Sequence, residues 1–344
     1  MNPKTDPVYR YYNFDKFWKY VPANRWVKEI LKDFLFYTFP FVFKQWAIYQ
    51  NWKNAGVFRD KPCKFSRLSC WKNQLLPSYN IAITKPETKI NYQPDKDNLA
   101  IVIHAFYPDI FEDILRMVEE MNFQNITYYI TTPENSINKI EAILKTSKYP
   151  YHIFTNENRG RDILPFIKLL PEIVEKHKIV LKLHTKKSSH LNDNNLWRDD
   201  MYQKLIGAGS FERNLKIFYS NVSIGMIGPS GHILPMKYYY SGNGAKVHEL
   251  CGRMGLKDNE LSGLLFIAGS MFYARTEALR PVINLNLSDS DFEPEDGQTD
   301  ATMAHVVERL FASGLIIRNL QLADTDYSNE NPVLRVSKVH HFSQ

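Results

Sequence analysis

From Leu99 onward the hydrophobic and polar positions fall into a repeating alternation. LAIVIHAF (99–106) is a short apolar run ending in polar residues and reads as a buried strand. Residues 108–122 follow with Ile110, Ile114, Leu115 and Val118 on one helical face. ITYYITT (126–132) predicts a second strand, SINKIEAILKTS (136–147) a second helix and YHIFTN (151–156) a third strand. ILPFIKLLPEIVEK (163–176) reads as a third helix despite its prolines, and IVLKLH (179–184) as a fourth strand. Apolar strands alternating with amphipathic helices predict a parallel sheet covered on both faces, an open α/β fold whose ligands sit beyond the carboxyl ends of the strands.

Beyond residue 188 the pattern predicts helices at 197–206 and 211–219, a strand IGMIGP (224–229), a Gly/Tyr-rich loop (230–244) and a helix near 247–254. One long strand, LLFIAGSMFYAR (264–275), precedes an acidic loop (286–300), a helix over 301–314 and strand-like pieces at the end. Before Leu99 the alternation is absent. Residues 80–98 are polar with two prolines and read as a linker, which divides the chain into an N-terminal region (1–97), a main domain (98–330) and a tail (331–344).

Charge separates the same two parts. The chain of 344 residues, 44% hydrophobic and 23% charged, has globular composition, which excludes disorder and low complexity. Its net charge of +6 arises unevenly, because residues 1–97 hold 17 Lys and Arg against 8 Asp and Glu. That quarter also holds 22 of the 47 aromatic residues. Its apolar run FLFYTFPFVF (34–43) is about half the length needed to cross a bilayer and is interrupted by Pro40. The flanks are rich in Trp, Tyr and Lys (Trp26, Lys28, Lys32, Lys44, Trp46, Tyr49, Trp52, Lys53). Two readings fit: a helical hairpin packed on the main domain, or a helix lying among lipid headgroups. Nucleic acid is not expected, since these aromatics fall at helical spacing among apolar residues instead of interleaving with arginines. The opening MNPKTDPVYRYY lacks the apolar core of a secretory signal, and Cys63, Cys70 and Cys251 form no C-x-x-C pair. Buried thiols in a cytoplasmic protein are expected.

The strand ends carry the candidate chemistry. The first ends in His104, the third in Asn158-Arg159-Gly160-Arg161-Asp162, and the fourth in His184-Thr185-Lys186-Lys187. Gly160 would let the backbone approach a ligand, and forked guanidinium donors beside lysines suit a diphosphate. Phosphate-binding G-x-x-x-x-G-K-[ST] and G-x-G-x-x-G motifs are absent. In the acidic loop, Glu293, Glu295, Asp296 and Asp300 crowd ahead of a helix whose positive end would keep a carboxylate ionised, as a general base requires, and His305 is close enough to join them.

On these residues the chain resembles the rhamnan synthesis F family of bacterial surface-polysaccharide proteins. The motifs are HAFYPD (104–109), NRGRDI (158–163), LKLHTKKS (181–188), Trp197-Arg198, IGMIGP (224–229), AGSMFYAR (268–275) and GQTDATMAHVVER (297–309), and the match extends from about Leu99 to Gly314. The resemblance implies a Rossmann-like, A-type glycosyltransferase fold. It also implies that His104, Asn158, Arg161 and Asp162 hold a nucleoside, that Gly269 and Ser270 line a sugar pocket, and that Asp300 or Asp296 is the base. Trp197, Arg198, Glu295, Gln298 and His305 are further sugar or acceptor candidates. Where such folds carry a D-x-D metal motif, this chain has His184-Thr185-Lys186-Lys187, so metal-independent transfer is expected, with Asp162 and His305 the remaining place for an ion. The expected activity is inverting transfer of a sugar, rhamnose or another deoxysugar, from a nucleoside diphosphate such as dTDP-rhamnose. The expected acceptor is a lipid-linked glycan at the cytoplasmic face of the inner membrane. The alternatives are a non-catalytic module binding nucleotide sugar or glycan, and a nucleotidyl or phosphoryl transferase. The latter would need paired carboxylates at strand ends that here carry cations.

Overall fold

The computed structural model describes residues 25–43, 49, 79–84, 99–121, 123–185, 196–236, 239, 243–261, 263–296, 298 and 301–337. Near the start lie helices α1 (Arg25–Thr38) and α2 (Pro40–Phe43) and a strand β1 (Tyr79–Ala82). The alternation predicted from Leu99 follows: β2 (Leu99–His104), α3 (Pro108–Glu119), β3 (Ile126–Thr132), α4 (Ile137–Leu144), β4 (Tyr151–Thr155), α5 (Ile163–Lys176) and β5 (Ile179–His184). Then come α6 (Leu196–Ile206), α7 (Ser210–Ser220), β6 (Ile224–Gly228), β7 (Ile233–Pro235), α8 (Gly244–Arg253), β8 (Leu265–Ile267) and β9 (Phe272–Arg275). Helices α9 (Thr276–Ile283) and α10 (Met303–Leu310) and strands β10 (Gln321–Asp324) and β11 (Val333–Val336) follow, beside short helical segments such as Asp258–Leu261 and Gly314–Ile317.

Seven strands form one sheet in the order β10-β6-β9-β5-β2-β3-β4. All neighbours are parallel except β9, which runs antiparallel between β5 and β6. The mostly parallel α/β sheet flanked by helices is therefore the architecture the alternation predicts, with one reversed strand. Strands β3 and β5 are buried along their whole length because helices cover both faces, which is why their sequences read as apolar runs without period-two alternation. Phe166 of α5 and Phe272 of β9 both pack on Phe311, with ring centroids 5.5 and 5.3 Å away. Each such fully buried side chain contributes about 1.5–3 kcal/mol.

Three sequence expectations change. The segment 264–275 is not one strand: it breaks at Gly269 (φ +91°) and Ser270 (φ +50°), so β8 pairs with β7 in a separate two-stranded sheet while β9 joins the main one. The break places a left-handed turn against the end of β5, where Lys182 and His184 bond to it. The linker reading of 80–98 gives way at its start, where β1 pairs antiparallel with β11, Tyr79 opposite Val336. Asp324, fully buried at the end of β10, holds that corner by accepting the Arg335 backbone N–H at 2.7 Å and its Nη1 at 2.9 Å. The helix expected over 301–314 begins at Met303 and passes into a 3₁₀ turn at Phe311–Ser313. Cys251 is a buried free thiol, raised to about 11 by burial, whereas Cys63 and Cys70 lie outside the described residues.

Candidate functional site

Parallel register sets the first row of the site. His104 at the end of β2 stands opposite Thr131 of β3 on one side and His184 of β5 on the other. The His104 Nδ1 and Thr131 Oγ1 are 2.9 Å apart. Burial drives the His104 ring down to about 4; Asp162 opposes the shift, and His184 and Lys182 add to it. The imidazole is thus neutral in the fold, while an unfolded chain takes up a proton as pH drops below 6.5. Stability should be complete above that value and decline towards pH 4, by at most about 1.4 kcal/mol per pH unit from this group. Thermal melts of wild type and His104→Gln across this range would test it, since the extra acid sensitivity should vanish in the variant.

Two residues before His184, Lys182 is 1% exposed, with its ammonium group inside the protein. It pairs with Asp162, and it donates to Ser270 O at 2.9 Å and Ser270 Oγ at 3.2 Å. The Ser270 hydroxyl in turn donates to Asp162 Oδ2 at 2.7 Å. Burial alone would raise the Asp162 carboxyl. The charges of His184 and Lys182 and the hydrogen bonds from Lys182 and Ser270 prevail and hold it well below the usual carboxylate range. The same turn is gripped from two more directions. His184 Nε2 donates to Gly269 O at 2.8 Å, and Gly269 N–H donates to Glu308 Oε1 of α10 at 2.7 Å. A Cβ on Gly269 would fall 2.5 Å from the Trp197 indole, so only glycine fits where Trp197 of α6 packs against the turn.

The segment after β4 presents its residues differently from the expectation of free phosphate ligands. Gly160 (φ +64°) is demanded by packing, since a Cβ there would lie 2.5 Å from Leu164 Cβ and 2.8 Å from Phe292. Arg159 directs Nη1 to the carbonyls of Asp289 (3.1 Å) and Phe292 (2.8 Å), fastening the turn to the acidic loop. Arg161 donates Nε to Glu295 Oε2 and Nη1 to His305 Nε2, both at 3.1 Å, and Nη2 to the Gln298 carbonyl. A guanidinium only donates, so His305 Nε2 accepts and its Nδ1–H donates to Thr302 Oγ1 at 2.7 Å. The buried Gln298 side chain accepts from Asp296 N–H at 2.9 Å and donates to Pro294 O at 2.8 Å, shaping the loop. Asp296 and Asn158 are exposed. Asn156, one residue beyond β4, leaves its buried Nδ2 without a hydrogen-bond partner among the described residues.

Of the four acids expected ahead of α10, Glu293 accepts from Met303 N–H at 2.8 Å. Asp162 and His305 do not share an ion site, because Asp162 is engaged by Lys182 and Ser270 while His305 is engaged by Arg161 and Thr302. A divalent cation does not fit a carboxylate already held by a buried ammonium. Among the described residues no group of three or more His, Cys, Asp and Glu is arranged around a metal position. Arg198 pairs with its neighbour Asp199 at 2.9 Å and lies over Tyr202. Lys186, Lys187 and Asp300 lie outside the described residues.

Backbone strain marks the same place. The described non-glycine residues with left-handed φ are Asn125, Arg161, Ser270, Asn286, Ala301 and Asn319. Asparagine tolerates this region; arginine, serine and alanine do not, at about 1–3 kcal/mol each. Arg161 and Ser270 flank the Asp162–Lys182 pair, and Ala301 opens the segment that supplies Thr302 and His305 to the Arg161 network. Sequence reading passed over Lys182 and Glu308. For Lys182 a signal existed: a lone charge inside an apolar strand must find a buried partner.

The profile of the family described as "Rhamnan synthesis protein F" matches residues 65–316, beginning well before Leu99. Two curated relatives, both described as uncharacterized protein WxcX, come from strains B100 and ATCC 33913 of Xanthomonas campestris pv. campestris. Each is 36% identical over 210 residues, 61% of this chain and 30% of the relative. The chain thus corresponds to about a third of those proteins' length. Among solved structures, a 4-diphosphocytidyl-2C-methyl-D-erythritol synthase from Anaerococcus prevotii aligns at 10% identity and TM-score 0.34, over 69% of this chain and 90% of that one. A glucosyl-3-phosphoglycerate synthase from Mycobacterium tuberculosis, solved with Mn2+, UDP and phosphoglyceric acid, aligns at 9% identity and TM-score 0.30, over 71% and 72%. Scores of this size leave the fold to rest on the strand order. The family match covers most of the 344 residues and includes every strand-end motif described above, and the chain belongs to the rhamnan synthesis protein F family.

Proposed function

We propose that this protein is a glycosyltransferase of the A-type fold acting in bacterial surface-polysaccharide synthesis (O-antigen, capsule or rhamnan). In this reading it moves a sugar, rhamnose or another deoxysugar, from a nucleoside-diphosphate donor such as dTDP-rhamnose to a lipid-linked glycan at the cytoplasmic face of the inner membrane. One observation carries the reading. His104, Asp162, Lys182, His184 and the strained 269–270 turn converge at the carboxyl ends of adjacent parallel strands, where open α/β sheets receive nucleotides. His104, Asn158 and Asp162 would face the nucleoside, and Lys186 and Lys187 the diphosphate. Arg161, pre-oriented by Glu295 and the Gln298 carbonyl, would join them in stabilising the departing phosphate. Asp300, with Asp296 as the second candidate, would deprotonate the acceptor hydroxyl in an inverting displacement, while fixed cations stabilise the leaving diphosphate without a metal.

A specific feature favours a second reading, a non-catalytic module for a neutral glycan. Arg159, Arg161 and Lys182 already have protein partners, so the described cations present little unbalanced charge. Calorimetric titration with a panel of nucleotide sugars, with and without EDTA, separates the two. EDTA-insensitive binding of one nucleotide sugar is expected. Loss of binding in EDTA would refute the metal-free mechanism, and absence of any nucleotide-sugar binding would leave the glycan module.

A further inference from the structure

Only half of the Glu308 carboxylate is used in holding the fold. Its Oε1 accepts from Gly269 N–H at 2.7 Å. The side chain is half-buried, and its Oε2 makes no hydrogen bond or ion pair among the described residues and is not sealed from solvent. Neighbouring carboxylates differ. Asp162 faces the Lys182 ammonium, Glu295 the Arg161 guanidinium at 3.1 Å, and Asp200 of α6 the Lys204 ammonium at 2.7 Å. Glu308 is met by a backbone amide instead of a cation.

Its position is fixed from several directions. Gly269 is itself gripped by His184, whose Nε2 donates to its carbonyl at 2.8 Å, and by Trp197, which leaves no room for a Cβ. His305 precedes Glu308 by three residues on the same face of α10, and it accepts from Arg161 at 3.1 Å. One helical face thus reaches both the strained 269–270 turn and the Arg161 network.

What the open oxygen can bind follows from its charge. A carboxylate without a cation repels a phosphate, and it only accepts hydrogen bonds, so a neutral hydroxyl donor suits it. A hydrogen bond from a hydroxyl to an ionised oxygen is about twice as strong as one between neutral groups, and here the acceptor is already oriented by the Gly269 amide. Sugars present hydroxyls at fixed angles. We infer that Glu308 Oε2 accepts a hydrogen bond from a hydroxyl of the bound sugar and so selects sugars that carry a hydroxyl at that position. The presence of a sugar rests on the functional reading above, in which donor or glycan reaches this edge of the sheet; the placement of Glu308 does not. Proton removal stays with Asp300 in that reading, and Glu308 supplies specificity.

The test is Glu308→Gln in the full chain. The amide keeps an oxygen for Gly269 N–H, so the thermal melt should stay close to wild type, while an NH2 group takes the place of the open acceptor. Calorimetric titrations use dTDP-rhamnose and UDP-glucose, the parent diphosphates dTDP and UDP, and a neutral rhamnose oligosaccharide. The variant should bind at least one sugar-bearing probe roughly tenfold more weakly than wild type does, and the parent diphosphates equally well. Loss confined to a nucleotide sugar assigns the hydroxyl to the donor; loss confined to the oligosaccharide assigns it to the glycan. Unchanged affinity for every probe would overturn the inference, as would the failure of wild type to bind any sugar-bearing probe. Binding of dTDP or UDP alongside either result would leave the transferase reading standing. Oligosaccharide binding that the variant loses, with no nucleotide bound by either protein, would end that reading and keep the role of Glu308. Monodeoxy analogues of the bound sugar probe the same contact in wild type without any substitution. One of them should lose about the same factor, and equal binding of them all would overturn the inference.

Discussion

Replacing Lys182 with methionine is expected to lower the unfolding free energy by about 3–5 kcal/mol, because it leaves the Asp162 carboxylate in a buried position without its counter-charge. Methionine keeps the length and most of the volume of the side chain, so contact with the Phe166 ring, now 5.4 Å from Nζ, persists and the loss is electrostatic. The second arm of the experiment is the double variant Lys182→Met/Asp162→Asn. Removing the stranded charge should restore at least half of the lost stability, which a double-mutant cycle by urea denaturation would measure. Strict additivity of the two substitutions would show that the pair is not coupled. The pH dependence has a defined sign. Asp162 is held below its unfolded value, so its contribution is present at neutral pH and lost only as pH falls below the ordinary carboxylate range; the double variant should lack that acid-induced loss.

Asp300→Asn is expected to reduce turnover by about 10²–10⁴-fold, the usual contribution of a positioned general base, with nucleotide-sugar affinity unchanged. Two companion variants make the result specific. Asp296→Asn removes an exposed carboxylate and should cost much less. Glu295→Gln frees Arg161 from its 3.1 Å ion pair and should weaken substrate binding more than it slows turnover, because Glu295 orients another side chain. Transfer retained in Asp300→Asn but lost in Asp296→Asn would move the base to Asp296. Transfer retained in both would remove the base from this loop.

The elements of the α/β sheet were legible because their physical cause is local. Buried strands flanked by helices must be apolar along their length, and ITYYITT, IVLKLH and ILPFIKLLPEIVEK carry that requirement in consecutive residues, so β3, β5 and α5 are read with their observed ends. LLFIAGSMFYAR misled for the same reason. Its apolar content suits a strand throughout, and only the packing of Trp197 against Gly269 and the reversal of β9 between β5 and β6 break it in two. The strand-end motifs named residues that the fold brings together at the candidate site, but not the partners each side chain would have there. Arg159 and Arg161 read as open forks for phosphate until the acidic loop, some 130 residues later, supplies the Phe292 carbonyl and the Glu295 carboxylate.

By itself, then, the chain determined the alternating α/β architecture, the charge division between its first quarter and the remainder, and the strand ends at which polar chemistry would gather. Tertiary structure decided the partners: Lys182 with Asp162 across 20 residues, Lys182 with Ser270 across 88, and His184 with Gly269 across 85. Periodicity is a property of neighbours along the chain and survives in one dimension. The pairing of a buried charge depends on which strands come to lie side by side, and no window of sequence holds both members.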